Sequence, residues 1–252
     1  MSYLKYQQSK NYWYACSNIV TIFTLLLLLF ASIGYRLEIF SFVFSLLTLT
    51  KYAIYASFIA LVISFIAFGT LLSKHQVLSS SNIIINIVVN TTIIIFFYNS
   101  ILALKSNPVI NDISTNYDDL IEFKVNKKNK LLIDKHILLQ KYGGFKQPNY
   151  TIVPLLINNK TLVEIFDESQ IILNNMGLEI IYSNQEEGLI EAVHSSFWYG
   201  FKDDIIIRIE KLISDEIKID VRSASRTGIS DFGVNSLRIK DFLEKLSSNL
   251  KN

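Results

Sequence analysis

The stretch "DIIIRIEKLISDEIKIDVRS" (residues 204–223) alternates apolar and charged side chains along two runs of strand length. Successive side chains of a strand point to opposite faces, so one face carries Ile205, Ile207, Ile209, Ile217, Ile219 and Val221. Only a few residues join the two runs, which predicts a hairpin and an antiparallel pair. The sequence therefore predicts a sheet with one apolar and one charged face. The charged face carries Asp204, Arg208, Asp220 and Arg222.

Two further runs, "LEIIYS" (178–183) and "LIEAVHSS" (189–196), precede this hairpin and predict two more strands. The joint between them is short, so these strands are also expected to be antiparallel. By alternation, Glu191 joins the charged face. His194 falls on the apolar face, where a buried histidine is the ordinary expectation.

Helices flank these strands and can cover the apolar face. Thr161 and Glu164 have the spacing of a capping box, so a helix begins there and runs to about Asn175. A last helix over about 235–249 has its apolar side chains on one side. We predict an α+β soluble domain over residues 151–252, with a four-stranded antiparallel sheet and helices packed on one face.

The N-terminal region has a different composition. Residues 1–106 carry six Lys/Arg and one acid, whereas residues 107–252 carry 18 bases and 21 acids. Three uncharged runs in the first region approach the ~20 residues that cross a ~30 Å hydrocarbon core. They predict a transmembrane region of α-helices over 1–106. The predicted spans are 17–35, 52–73 and 83–104.

The segment "LEIFSFVFSLLTLT" (37–50) would span only ~21 Å as a helix, which is short for a membrane crossing. We interpret it as an interfacial or re-entrant helix, with a fourth span as the alternative. The lysines and arginines near the span ends divide equally between the two sides, so the positive-inside rule does not decide the orientation.

Residues 107–150 contain two prolines, a Gly143–Gly144 pair and the basic run "KVNKKNK" (124–130). This composition predicts a linker. One short helix is expected within it, at "LLIDKHILLQKY" (131–142).

The stretch "DVRSASRTGISDFGVNSLRI" (220–239) leaves the last strand at the edge of the charged face and can fold over or beside it. Arginine forks bind phosphate or carboxylate bidentately, so the cluster is a candidate anion site. The alternative is a network of salt bridges that satisfies itself, with the loop's serine, aspartate and asparagine capping the last helix. The candidate ligand-binding residues are Glu191, Asp204, Arg208, Asp220, Arg222, Ser225, Arg226, Ser230, Asp231, Asn235 and Arg238.

The connection "FWYGF" (197–201) carries four aromatic side chains. Trp and Tyr favour the bilayer interface, so lipid contact is one interpretation and packing against a helix end is the other. The single cysteine, Cys16, cannot form an intrachain disulfide, and no cysteine cluster suggests zinc or iron–sulfur binding. We expect no metal and no cofactor. Neither region has the basic surplus of a nucleic-acid binder, so we expect no nucleic-acid partner.

The segments "EAVHSSFWYGFKDDIIIRI" (191–209) and 220–239 resemble the domain of unknown function 1499 (DUF1499) family. The shared pattern is a glutamate-containing strand, an Asp-Asp strand with an arginine, and an Asp-x-Arg-Ser-x-Ser-Arg-x-Gly-x-Ser-Asp-x-Gly-x-Asn segment ending in Arg-Ile. Upstream, "PVINDISTNYDDLIEF" (108–123) and "YTIVPLLI" (150–157) resemble further motifs of the family. The chain departs from it at Asp119, Leu120 and Thr151, where the family usually has prolines.

"GYRLEIFSF" (34–42) resembles the membrane-bearing bacterial members of that family. The family has no established activity, and its lipoprotein-like members imply an extracytoplasmic domain. The resemblance therefore implies three spans in a bacterial inner membrane, with the C-terminal domain on the periplasmic or extracytoplasmic side.

Three functions remain open from the sequence. The first is a membrane-tethered, non-catalytic domain of the cell envelope that binds an anionic small molecule or an envelope protein, with the lipid bilayer as a further partner. The second is an enzyme acting on an anionic substrate at the membrane surface, with Glu191 or Asp220 as acid or base. The third is a purely structural membrane protein, in which residues 105–150 cover the charged face.

Overall fold

The computed structural model describes residues 12–73, 80–106, 110–126, 152–228 and 230–251. The chain divides into two compact units, Met1–Leu102 and Ala103–Asn252. The first consists of helices and the second is an α+β domain, in agreement with the predicted class.

Three helices in the N-terminal region are long and apolar enough to cross a membrane, as predicted. They are α1 (Tyr12–Arg36), α2 (Thr50–Ser73) and α3 (Ser80–Ser106). A π-helix, Val43–Leu49, runs directly into α2. Thr50 stabilises it, because both its backbone N–H and its hydroxyl donate to the carbonyl of Ser45. Most of the predicted separate helix 37–50 is thus continuous with α2, and its position relative to a bilayer interface stays a prediction.

Buried polar side chains connect the three apolar helices. Asn90 on α3 donates to the Thr21 hydroxyl of α1 (2.9 Å) and accepts from the Ser57 hydroxyl of α2 (3.0 Å). Asn86 donates to Ser17 of α1 (2.9 Å), whose hydroxyl lies 2.7 Å from that of Ser64 on α2. In hydrocarbon these groups have no water to bond, so they hold the helices to one another.

The described residues of the α+β domain form a six-stranded antiparallel sheet in place of the predicted four strands. The order is β1-β6-β5-β4-β3, and β2 also pairs with β6. The strands are β1 (Asp112–Ser114), β2 (Leu155–Ile157), β3 (Glu179–Asn184), β4 (Leu189–Ser195), β5 (Lys202–Lys211) and β6 (Ile217–Ser225). The four predicted strands are β3 to β6. The two additional ones have three residues each, too few to show an alternation of their own, and they pair with different halves of β6.

Two helices, α4 (Leu162–Asn175) and α5 (Val234–Asn249), pack on the predicted apolar face. The capping box is present: the Glu164 N–H donates to the Thr161 hydroxyl, and the Thr161 N–H donates to the Glu164 carboxylate. The buried core on this side includes Ile190, Ala192, Ile205, Ile207, Ile209, Ile217, Ile219, Val221, Ile239, Phe242 and Leu246.

The opposite face of the sheet is covered by residues 110–126, which we call the covering segment. The sequence placed this segment in a linker over 107–150, but it adds β1 to the sheet and packs Ile121 and Phe123 against Ile206. The prediction failed because the composition of this segment is mixed and shows neither strand nor helix periodicity. The segment nevertheless supplies apolar and acidic side chains to this face of the sheet. The rest of the predicted linker, 127–150, with its helix at 131–142, lies outside the described residues.

The turn from β3 to β4 depends on Gly188. Its φ is +64°, and its carbonyl accepts the N–H of Ile209 at 2.8 Å. A Cβ at this position would lie 2.1 Å from the Ile209 carbonyl oxygen. Glycine is therefore required for β4 and β5 to approach here.

Candidate functional site

The sheet separates the predicted site residues into two groups. One group lies on the face opposite the helices, and we call it the ionic face: Glu191, Asp204, Arg208, Asp220, Arg222 and Arg226. The other group is bonded around the start of α5, and we call it the helix-side cluster: Ser225, Ser230, Asp231, Asn235 and Arg238. The side chains predicted as one site therefore form two.

Arg222 is the centre of the ionic face and is only 2% exposed. Its Nε and Nη2 donate to the two carboxylate oxygens of Asp112 at 2.9 and 2.7 Å, and its Nη1 donates to the Ile121 carbonyl at 2.7 Å. The guanidinium also lies over the Phe123 ring, 4.8 Å from the centroid. Burial raises the pKa of Asp112 above its ordinary value, although Arg222 opposes this rise. Arg222 thus fastens the covering segment to β6 by a bidentate charged pair.

Arg208 and Asp220 form a second pair on neighbouring strands, with Nη2 and Oδ2 2.7 Å apart. The same Nη2 lies 2.7 Å from the carboxylate of Asp119 in the covering segment. Hydrogen bonding and charge from Arg208 lower the pKa of Asp119. Asp220 is fully buried and is also approached by Lys218 at 3.0 Å. Each of these charges therefore has a counter-charge within the domain.

Glu191 and Asp204 are both fully buried. The Glu191 carboxylate accepts the consecutive backbone N–H groups of residues 124, 125 and 126 at 2.7, 3.1 and 3.4 Å. Asp204 accepts from Nε and Nη2 of Arg226 and from the Asn126 side chain. Burying an unpaired carboxylate is costly, so these bonds secure both the two acids and the end of the covering segment.

The helix-side cluster joins β6 to the first turn of α5. Arg238 donates to Asp203 at 2.7 Å and to the Ser223 hydroxyl at 3.0 Å, and it also donates to Asn235. The Asn235 amide donates in turn to Ser225. The Asp231 carboxylate accepts the N–H groups of Gly233 and Asn235 at 2.9 and 2.7 Å. A carboxylate at this position favours the helix start, because free N–H groups and the helix dipole attract negative charge.

The four arginines of the two groups differ in accessibility. The exposed fraction of the side chain is 31% for Arg226, 18% for Arg208, 6% for Arg238 and 2% for Arg222. Among the described residues, the Arg226 side chain is the most open to solvent of these four arginines. Ligand binding by any of these residues stays a prediction.

Sequence reasoning missed three of the carboxylates that partner these arginines. Asp112 and Asp119 belong to the covering segment, and Asp203 lies on the helix side of β5. The upstream resemblance at 108–123 was the available signal for the first two, since it marked that segment without giving it a role. Their contacts could not be derived from spacing, because Arg222 and Asp112 are 110 positions apart.

A cavity of about 530 Å³ lies beside α5. The half-buried His194 and the enclosed Arg238 line it together with apolar side chains such as Met176, Val234 and Leu237. His194 points to the helix side of the sheet, as alternation predicts, and its buried Nδ1 has no hydrogen-bond partner within the described part of the chain. Burial, and then the positive charge of Arg238, lower the pKa of His194.

Comparisons with known proteins identify the family. No curated protein sequence matches the chain. The family model described as a protein of unknown function (DUF1499) matches residues 108–246. The match contains the covering segment, all six strands and most of α5, and so includes every contact of the ionic face described above. Because it extends over more than half of the 252 residues, this chain belongs to the DUF1499 family.

Proposed function

We propose that this is an integral membrane protein of a bacterial inner membrane whose extracytoplasmic α+β domain binds an anionic group without catalysing a reaction. The anionic group belongs to a small molecule or to an envelope protein. The three apolar helices support the membrane anchoring. Arg226 is the proposed contact residue.

The accessibility of Arg226 is the observation that carries this proposal. Its side chain is the most exposed of the four arginines, at 31%, while its partner Asp204 is fully buried. The hydrogen bonds with Asp204 hold the guanidinium in one place and raise the pKa of Arg226. A fixed guanidinium with an open side is suited to a carboxylate or phosphate, because its fork geometry matches these groups.

Burial of the carboxylates supports a non-catalytic function. A general acid or base must come within hydrogen-bond distance of the proton it transfers. Glu191, Asp204 and Asp220 are fully buried and already accept hydrogen bonds. An enzyme acting on an anionic substrate at the membrane surface would therefore find no accessible acid among these three. It stays the alternative function, with the substrate at the Arg226 edge.

The purely structural alternative is favoured by a different observation. Arg222 and Arg238 are almost completely enclosed, and their partners lie in the covering segment and on β5. These two residues act in the fold under either function. The two functions differ only at Arg226.

Anion-dependent stability of the full-length protein in detergent micelles tests the proposal. Inorganic phosphate or citrate, compared with chloride at equal ionic strength, should raise the thermal unfolding midpoint of the α+β domain. Ligand that binds only the folded state stabilises it in proportion to the logarithm of ligand concentration over Kd. The shift should disappear in Arg226→Gln and persist in Arg208→Gln.

Arg208→Gln is the matched control, because Arg208 also pairs with a buried aspartate on the same face. Both variants lose one such pair, so a general loss of stability affects both. If neither phosphate nor citrate shifts the wild-type midpoint, or if both variants keep the shift, the Arg226 site is rejected and the structural function is favoured.

A further inference from the structure

The turn between β4 and β5, residues 196–201, is called the aromatic turn. Phe197 is 91% exposed and Trp198 is 43% exposed, whereas Tyr199 is buried and stacks on Phe201 with ring centroids 5.0 Å apart. Two backbone hydrogen bonds to Ser196 and Phe201 close the turn. The stacked pair thus fixes a turn that presents two large apolar side chains outward.

The aromatic turn lies at the end of the sheet where the chain enters the α+β domain. The carbonyl of Asn111 accepts the Ser225 N–H (2.8 Å), and the Arg226 N–H donates to the Lys202 carbonyl (2.9 Å). Lys202 follows the aromatic turn directly. The entering chain and the turn are therefore separated by β6, about two strand spacings or ~10 Å.

The connection between α3 and this end of the domain is short. Helix α3 ends at Ser106, and Ile110 already accepts a hydrogen bond from Asp231. Residues 107–109 join them, and covalent geometry limits the separation of the two flanking Cα atoms to about 14 Å. The chain that leaves the third apolar helix therefore enters the domain at this end of the sheet after only three residues.

The opposite end of the sheet offers a comparison. Ile213, in the turn between β5 and β6, is fully exposed. It lies the length of β5 away from the aromatic turn, ten residues or about 30 Å. An exposed apolar side chain is thus present at both ends, and the aromatic turn is at the end where the chain from the third apolar helix enters the domain.

We infer that the aromatic turn inserts Phe197 and Trp198 into the lipid bilayer interface. Tryptophan is favoured at headgroup depth, and a neighbouring phenylalanine can reach the acyl boundary. The turn carries no charged side chain between Ser195 and Lys202 to oppose this. The contact would hold the α+β domain against the membrane by two side chains in addition to the covalent connection. It does not depend on anion binding at Arg226.

Tryptophan quenching in the full-length protein tests the inference. The chain has two tryptophans, so Trp13→Phe leaves Trp198 as the only one. The protein is reconstituted into vesicles of ordinary phosphatidylcholine or of phosphatidylcholine brominated on the acyl chains near the headgroup. We expect the brominated lipid to remove most of the Trp198 emission. The result does not depend on which side the domain faces, because both leaflets carry the quencher.

The control carries Trp13→Phe, Trp198→Phe and Ile213→Trp, which moves the fluorophore to the other end of the sheet. Its emission should be unaffected by the brominated lipid and quenched by aqueous iodide. Equal quenching of the two proteins by lipid would show that contact is not specific to the aromatic turn. No lipid quenching of Trp198, or quenching of the control alone, would likewise overturn the inference.

Discussion

At the scale of residues, the buried arginines of this domain are paired with carboxylates from distant positions. Arg222 meets Asp112 across 110 positions, and Arg238 meets Asp203 across 35. A buried guanidinium without a counter-charge is strongly destabilising, so these pairs specify where the covering segment and α5 attach. Because the arginines and acids of the predicted cluster nearly balance, the sequence predicted that salt bridges could form among them. The individual partners depend on the fold and were not predictable.

His194 leads to a pH prediction at the same scale. Burial and Arg238 lower its pKa in the folded state. Below the ordinary pKa of about 6.5, the unfolded chain therefore binds the proton more readily than the folded chain, and stability falls as the pH falls. Protonation would also place a second N–H at the buried Nδ1, which has no acceptor among the residues that the structure describes.

The prediction concerns the urea midpoint of the α+β domain, followed by Trp198 emission in the Trp13→Phe background in micelles. Between pH 7 and pH 5 the midpoint should fall more in the parent than in His194→Gln. His75 and His136 remain in both proteins, so their titration cancels in the comparison. An identical pH dependence in the two proteins would mean that His194 does not contribute.

At the scale of elements, the long periodic segments were predictable and the short ones were not. The alternation along β5 and β6 determined both faces of the sheet, and the Thr161 capping box determined the start of α4. By contrast, β1 and β2 have three residues each and exist only because β6 offers them backbone partners. The covering segment has no periodic pattern of apolar residues that could have predicted its structure. It is held by single contacts, such as the Phe123 ring under the Arg222 guanidinium.

The polar contacts of α3 give a prediction for the membrane helices. Asn90 bonds to Thr21 and Ser57, so it connects α3 with both other helices. Asn90→Leu should weaken the bundle by about 1 kcal/mol, the usual size of an interhelical hydrogen bond in a membrane. SDS titration in mixed micelles, followed by Trp13 emission in the Trp198→Phe background, measures the change.

Asn99→Leu is the control for this prediction, because Asn99 is on the same helix but exposed. It makes the same change in side-chain polarity and helix composition. The control should leave the SDS midpoint nearly unchanged. A loss of equal size in both variants would argue that leucine itself perturbs α3 and that the contacts of Asn90 are dispensable.

At the scale of the whole molecule, the composition predicted two regions with a boundary near residue 106. The structure divides the chain at residue 103, close to that position. The boundary was predictable because a segment that lies in hydrocarbon carries few charged residues, whereas a domain in water carries many. The side of the membrane on which the α+β domain lies was not predictable from the charges, because the few basic residues near the spans divide equally between the two sides. The proposed side rests on the family resemblance alone.

Cysteine labelling tests the proposed orientation, with the α+β domain outside the cytoplasm. Cys16→Ser removes the single cysteine, and Ser248→Cys then adds one on the exposed side of α5. In spheroplasts, a membrane-impermeant maleimide should react with this cysteine without lysis, because three spans place the two termini on opposite sides. A cysteine replacing Ser2 in the same background should react only after lysis.

The reverse pattern would place the domain in the cytoplasm. Reaction of both cysteines in intact spheroplasts, or of neither, would indicate an even number of spans and would reject the three-span arrangement.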